Sequence, residues 1–269
     1  MTIKIMPHDI LTEREITAGL ATKRLGRKVY ALIEVDSTNT YASKLAAAGE
    51  PEGALVVSEY QTVGRGRLGR KWVSPPGVNV TMSLILRPDI PSPDAPLITL
   101  AASVALAKAV NGLYGLSSGI KWPNDLMVSG RKMAGVLTEM SAGPDRIRHV
   151  ILGVGIDVNM RRDDFPEDIR GSSTSVMLET GGPVGRVPLL CRFIEEFEVY
   201  YDALLTGDSG RVVSEWRKHS CTLGRRVKVN TQRGEVYGIA RDIDDSGALI
   251  LETDEGKTEK VTAGDVGFI

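Results

Sequence analysis

Four short stretches of the chain concentrate side chains that can do chemistry. The first, GRGRLGRKW at residues 64–72, sets Arg65, Arg67, Arg70 and Lys71 among Gly64, Gly66 and Gly69, with no acidic residue between Gln61 and Trp72. Guanidinium groups take phosphate oxygens and carboxylates two at a time, and glycines let a backbone approach a ligand closely. The spelling also satisfies G-x-G-x-x-G, the turn of dinucleotide-binding proteins. That turn works only where a helix starts at the glycines and its N-terminus holds the pyrophosphate. Here RKWVSPPGVNVTMSLIL follows, and Pro75, Pro76, Gly77 and a β-branched run forbid a helix. No G-x-x-x-x-G-K-[ST] loop is present either. Two readings are left: a solvated basic loop, or an anion-binding loop that is mobile when empty and orders over its ligand.

The second stretch, KWPNDLMVSGRK, gathers Lys121, Trp122, Asn124, Asp125 and Lys132 around a turn. Pro123 fixes the backbone where Asn124 and Asp125 project. Asn and Asp beside proline also serve as plain turn formers. A carboxylate flanked by lysines can instead hold Mg2+ or a nucleophilic amine. The third, GVGIDVN at residues 153–159, interrupts an apolar strand with Gly153 and Gly155, which marks either a bulge or close approach of a ligand. The fourth, DSTN at residues 36–39, follows a strand and opens a helix, as an ordinary N-cap or as a set of hydroxyls and an amide around a small polar head group.

The elements that must position these residues are legible in outline. A helix is expected over residues 10–25 and an alanine-rich one after DSTN. Strands are expected at KVYALIEV, ALVVSEY and VNVTMSLILR, and a long helix at PDAPLITLAASVALAKAVNGLYG. Strand, turn at Ser129–Gly130 and strand follow, then RHVILGVGIDVNM as a further strand. Residues 160–172 read as a polar loop, and three helices come after it. From Leu223 the texture changes to RRVKVN, EVYGIARDID, GALILET and KTEKVTAGDV, four short strands at hairpin spacing that suggest a small SH3-like barrel.

Lys plus Arg number 33 against 34 Asp plus Glu, and aromatics make up 5%. That balance argues against a nucleic-acid-binding module and against adhesion to an anionic membrane. Cys191 and Cys221 lack C-x-x-C spacing, and His8, His149 and His219 lack metal-ligand spacing, so neither a disulfide framework nor a metal hydrolase is indicated. The N-terminal residues do not read as a signal peptide, and the longest uncharged apolar run, APLITLAASVALA, has 13 residues. A soluble cytoplasmic protein is expected.

Taken in order, EVDSTN, QTVGRGRLGRKW, KWPNDLMVSGRKMAG and GVGIDVN, followed by the small barrel, resemble the biotin protein ligase family (biotin-[acetyl-CoA-carboxylase] ligases) from about Tyr30 to the C-terminus. The resemblance implies an α+β fold: a mixed sheet flanked by helices, like class II tRNA synthetases, with an SH3-like barrel appended. It implies a connector at residues 1–28, a biotin- and ATP-binding catalytic domain at 29–220 and the small domain at 221–269. It implies an ATP- and Mg2+-dependent reaction in which biotin becomes biotinyl-5'-AMP and is then transferred to a lysine of a biotin carboxyl carrier protein. A homodimer is compatible with this reading.

Carried over by residue, the resemblance places Ser37, Thr38, Asn39 and Gln61 at the biotin head group. Gly64, Arg65, Gly66 and Arg67 form the adenylate loop and reach biotin as well, and Arg67 sits nearest the biotin carboxylate and α-phosphate. Arg70, Trp72, Asn124, Asp157 and Asn159 lie on the nucleotide, with Trp72 closing over the biotin chain. Lys132 is the fixed cation for charge developing on the α-phosphate and acyl oxygen, and Asp125 positions the metal or the acceptor lysine. Gly135, Gly153 and Gly155 let the backbone pack on the ligands. Two departures stand out. Asp157 replaces the family's usual Asn and, when ionised, only accepts hydrogen bonds, which weakens ATP binding or restricts it to the exocyclic amine. Leu68 replaces a common loop arginine. Lipoate-protein ligases share the fold and the acyl-adenylate chemistry, but the arginine-glycine loop and KWPND follow the biotin branch. Regulatory members begin with a helix-turn-helix domain; about 28 residues before the first strand are too few for one, so no specific DNA binding is expected.

Overall fold

The computed structural model describes residues 9–143, 146–232 and 234–269. The first eight residues of the expected connector, and with them His8 and most of the reading against a leader, lie outside the described residues.

Seven strands form one mixed sheet: β1 (Val29–Val35), β2 (Leu55–Gln61), β3 (Val80–Leu86), β4 (Ser118–Lys121), β5 (Asp125–Val128), β6 (Arg131–Ala142) and β7 (Ile147–Ile156), in the order β1-β2-β3-β7-β6-β5-β4. Only β1 and β2 run parallel. A parallel pair needs a crossover, and helix α2 (Thr38–Ala47) supplies it. The interior strand β3, VTMSLIL, is buried along its whole length, as a strand covered on both faces must be.

Period-two alternation divides the sheet's residues between its faces. Leu55, Val57, Leu84, Leu86, Leu152 and Val154 point into the large core, which α3 (Pro96–Tyr114) and α5 (Arg186–Leu205) help to build. Val56, Ile85 and Ile151 point the other way, onto Ala42 and Ala46 of α2. Two small alanines let that helix sit close to the strands. Helix α3, with the turn before it at Ser92–Asp94, is long and apolar enough by composition to cross a membrane, yet 67% of its apolar 18-residue window is buried inside the fold. Its apolarity is accounted for by packing against α5, α6 (Ser209–His219) and the sheet.

Two helices are shorter than their patterns suggest. The expected helix over residues 10–25 is reduced to α1 (Glu13–Gly19), capped by the Thr12 hydroxyl. Beyond it, the backbone N–H groups of Lys23, Arg24 and Leu25 donate to the Glu198 carboxylate of α5 and have no need of a helical ladder. α4 (Val176–Thr180) is a single turn ending at Gly181. The stretch around KWPND makes three strands where two are expected, because β4 and β5 already pair across the 122–124 turn.

The C-terminal part holds five strands where four are expected: β8 (Arg226–Thr231), β9 (Gly234–Ile243), β10 (Leu249–Thr253), β11 (Thr258–Val261) and β12 (Asp265–Phe268). KTEKVTAGDV breaks at Ala263–Gly264, and the two halves go to opposite edges of an antiparallel sheet ordered β11-β10-β9-β8-β12. Its pairing is that of an open sheet, not of a closed barrel, since the edge strands β11 and β12 do not pair with each other among the described residues. Trp122 ties this sheet to the first. Its backbone N–H donates to Thr222 Oγ1 at 2.9 Å and its indole N–H to Gly247 O at 3.0 Å. Gly247 has a positive φ and lies against Leu100 of α3, where a β-carbon would clash.

Candidate active site

On β7, the alternation that sends Leu152 and Val154 to the core leaves Gly153 and Gly155 on the α2 face, with Asp157 just beyond the strand end. A β-carbon on Gly153 would overlap the Asn39 amide, and one on Gly155 would sit 2.5 Å from the Trp72 ring. The close approach these glycines allow is therefore made first by the protein's own side chains. They bring the start of α2 and the end of the cationic loop onto the same strand.

A cavity of about 330 Å³ opens there. Ser37, Thr38, Asn39, Gln61, Arg65, Gly66, Arg67, Arg70, Trp72, Asn124, Asp125, Lys132, Gly135, Gly153, Gly155 and Asp157 all line it. Residues from four separated motifs thus share one space. Gly64 and Asn159 do not line it. Gly64 is buried, and its absent side chain makes room for the Trp72 carbonyl. Asn159 uses both ends of its amide on the backbone of Val184, each at 2.9 Å, which clamps the loop before α5. Both positions serve the protein's own packing.

One part of the lining is neutral and polar. Gln61 Oε1 accepts from the Thr38 N–H at 2.7 Å and from its hydroxyl at 3.0 Å, and Ser83 Oγ donates to Asn39 Oδ1 at 2.6 Å. Asn39 Nδ2 donates to Glu139 Oε2 at 2.7 Å, where Arg65 also ends at 2.9 Å. Ser37, at the N-cap of α2, makes no side-chain cap bond, so its hydroxyl remains open to a ligand.

Another part is cationic. The loop closes on itself: Gly66 N–H donates to Arg70 O, and Trp72 N–H to Gly64 O. Leu68, exposed at its tip, adopts a left-handed conformation. Arg67 is half-buried between Asn124 Oδ1 at 2.8 Å and Gly264 O at 3.1 Å, and that burial lowers its pKa. A guanidinium nevertheless stays charged at any working pH. Arg70 pairs with Asp265 at the start of β12, a hydrogen bond that raises the Arg70 pKa. Burial opposes ionisation of Asp265, but Arg70 outweighs it and the carboxyl is lowered.

Lys132 is pinned by its backbone, which donates to Ser172 O and accepts from Thr174 N–H. Its ammonium lies 2.6 Å from Asp125 Oδ1, over Gly135, whose missing side chain leaves it space. Asp125 Oδ2 faces Lys121 at 3.6 Å. With both oxygens turned to ammonium groups, Asp125 does not suit a metal ion. Among the described residues no three His, Cys, Asp or Glu side chains form a metal-binding group. The expected magnesium ligand is therefore not met at Asp125.

Sequence reasoning missed Ser83 and Glu139, which bond Asn39 without lining the cavity, and Asp265, which lines it. The first two lie on strands whose facing is settled only by register, and Asp265 reaches the cavity from the other sheet. Conversely Trp122, counted with the site in sequence, is 1% exposed, does not line the cavity and serves the contact between sheets.

Residues 31–157 match the biotin/lipoate A/B protein ligase family, and residues 222–268 match the biotin protein ligase C-terminal domain. A bifunctional ligase/repressor BirA of Bacillus spizizenii is 40% identical over 256 residues, covering 95% of this chain and 78% of that protein. A biotin-[acetyl-CoA-carboxylase] ligase of Mycobacterium tuberculosis is 34% identical over 264 residues, 95% of either chain. Among solved structures, a biotin protein ligase from Aquifex aeolicus in complex with biotin and ATP superposes with a TM-score of 0.76 at 26% identity, over 90% of this chain and 99% of that one. With likeness of this extent in sequence and in fold, the chain belongs to the biotin protein ligase family.

Proposed function

We propose that the protein is an ATP-dependent biotin protein ligase that makes biotinyl-5'-AMP and passes the biotinyl group to a lysine of a biotin carboxyl carrier domain. One observation carries this reading: hydrogen-bonding side chains suited to a small polar head group and cations suited to a carboxylate and phosphates line the same cavity. In the first step a biotin carboxylate oxygen attacks the α-phosphorus, an O–P bond forms, and the bond to the β-phosphate breaks to release pyrophosphate. In the second, a neutral lysine amine attacks the acyl carbon, the amide forms as the nitrogen gives up a proton to solvent, and AMP leaves with the bonding pair.

Ser37, Thr38, Asn39 and Gln61 hold the ureido group. Arg67 and Lys132 bring the two anions together and stabilise the charge that develops on the α-phosphate, a task for donors already fixed in place. Arg65, Gly66 and Arg70 line the nucleotide's path, and Trp72 covers the adenylate. The Trp72 indole N–H is buried without an acceptor among the described residues, and a ligand oxygen would satisfy it. Asn124, expected on the nucleotide, acts through Arg67. Asp125 holds Lys132 through Oδ1, and the acceptor lysine takes the place of Lys121, 3.6 Å from Oδ2. Magnesium accompanies the triphosphate with most of its own waters, the ion's usual habit.

Residues 29–220 form the catalytic unit and 221–269 a small unit that supports the loop. A cytoplasmic setting is in keeping with Cys191 and Cys221, both free. The test is pyrophosphate release from ATP on adding biotin or lipoate, with and without a carrier domain. Biotin-dependent release and a labelled carrier are expected; a preference for lipoate would overturn the substrate.

A further inference from the structure

Arg186 is completely buried at the start of α5. Its Nη1 donates to Glu59 Oε2 at 2.7 Å and to the Asn79 carbonyl at 3.1 Å, and its Nε to Asp9 Oδ2 at 3.0 Å. Asn79, also buried, divides its amide in turn. Nδ2 donates to Asp157 Oδ1 at 2.9 Å, and Oδ1 accepts from the Val158 N–H at 2.9 Å. A line of buried polar groups therefore runs from the segment before α1 to a carboxyl group that lines the cavity.

That carboxyl is poorly provided for as an anion. Asp157 is 6% exposed, its Oδ1 receives one neutral donor, and Oδ2 has no partner among the described residues. From β6 it feels Lys132, but that ammonium is held by Asp125 of β5. The segment before β3 offers only the neutral Asn79. From α4, the Val176 N–H meets the Asp157 backbone carbonyl. Behind Asn79, Arg186 is already paired with Glu59 and Asp9. A buried charge with one neutral donor is costly, and burial moves the Asp157 pKa well above the usual carboxylate range.

We propose that Asp157 works as a neutral acid that sets nucleotide affinity: its hydroxyl donates to a ring nitrogen of the purine base of ATP while its carbonyl oxygen keeps Asn79, whose backbone carbonyl Arg186 holds and whose amide the Val158 N–H orients. A protonated carboxyl both donates and accepts, as a side-chain amide does, so Asp at this position need not weaken the nucleotide site. The inference rests on the ATP-dependent reading above and adds to it a proton that the site must keep.

The test is the pH dependence of the KM for ATP in biotin-dependent pyrophosphate release, from mildly acidic to mildly alkaline solution, for the parent and the isosteric Asp157→Asn. The parent's KM is expected to climb toward about tenfold per pH unit once the proton is lost. The ratio of parent to Asp157→Asn should climb with it, while the KM for biotin follows one profile in both proteins. Infrared spectra of the parent should show the carbonyl band of a protonated carboxyl that Asp157→Asn lacks. A ratio that falls as the pH rises, ATP affinity lost in Asp157→Asn at every pH, or no such band would overturn the inference alone. No biotin-dependent pyrophosphate release from either protein would overturn the ligase reading as well.

Discussion

Arg67 is held by two neutral acceptors, Asn124 Oδ1 and the Gly264 carbonyl, and not by a counter-ion in contact. Its full charge is thus available to a ligand while its position is fixed. Hydrogen bonds to charged groups contribute about 1.5–3 kcal/mol, so Asn124→Ala should speed release of the adenylate by about tenfold or more, read by chasing labelled biotinyl-AMP out of the enzyme. In the proposed reaction Lys132 acts on the chemistry itself. Lys132→Ala should slow adenylate formation by about 10²–10³-fold, the usual loss for one fixed electrostatic donor, while equilibrium binding of labelled biotin persists. Asp157 also bears on stability. Its pKa is raised on folding by burial, so the native state binds more protons than the unfolded chain above pH ~4, and its stabilising part, whole below that pH, is lost as pH rises through the native pKa. Asp157→Asn should therefore raise the melting temperature near neutral pH, with the gain shrinking toward pH ~4, as thermal scans across pH will record. Residue types alone pointed to most of these groups. They could not show that Asn124 serves Arg67, or that Asp125 is taken up by two lysines.

At the scale of elements, β7 carries the site by alternation. Its even-numbered residues Leu152 and Val154 anchor the core, which leaves Gly153 and Gly155 to admit Asn39 and Trp72. A methyl group at either place overpacks a fitted contact, at a cost of about 1–3 kcal/mol. Gly153→Ala should shift the start of α2 and raise the KM for biotin, whereas Gly155→Ala should displace the Trp72 ring and shorten retention of the adenylate. Steady-state kinetics and the chase experiment separate the two. The strands and long helices were legible because their apolar periods are strong. The 10–25 helix was overstated because Glu198, distant in sequence, satisfies the very N–H groups a longer helix would have used.

Across the whole molecule, ion pairs join distant parts of the chain, and burial ranks those of Arg70 and Arg186. Arg70, its side chain 61% exposed, meets Asp265 of the second sheet; such pairs contribute about 0–1 kcal/mol, so Asp265→Asn should change loop behaviour by less than about fivefold. Arg186, wholly buried between Asp9 and Glu59, is different. Arg186→Ala strands Glu59 without its cation and should cost about 3–5 kcal/mol of stability in denaturant titrations. The sequence by itself determined the mixed α+β fold, the change to short strands after residue 220 and the ordered motifs, since these depend on local period, glycine and proline placement and residue type. Tertiary structure alone decided that β11 and β12 separate to opposite edges and that Asp265 and Gly264 steady the cationic loop. It alone joined Arg186 through Asn79 to Asp157. Those facts depend on register and on contacts between residues far apart in the chain, and burial, which decides whether a carboxyl keeps its proton, exists only once the chain has closed around it.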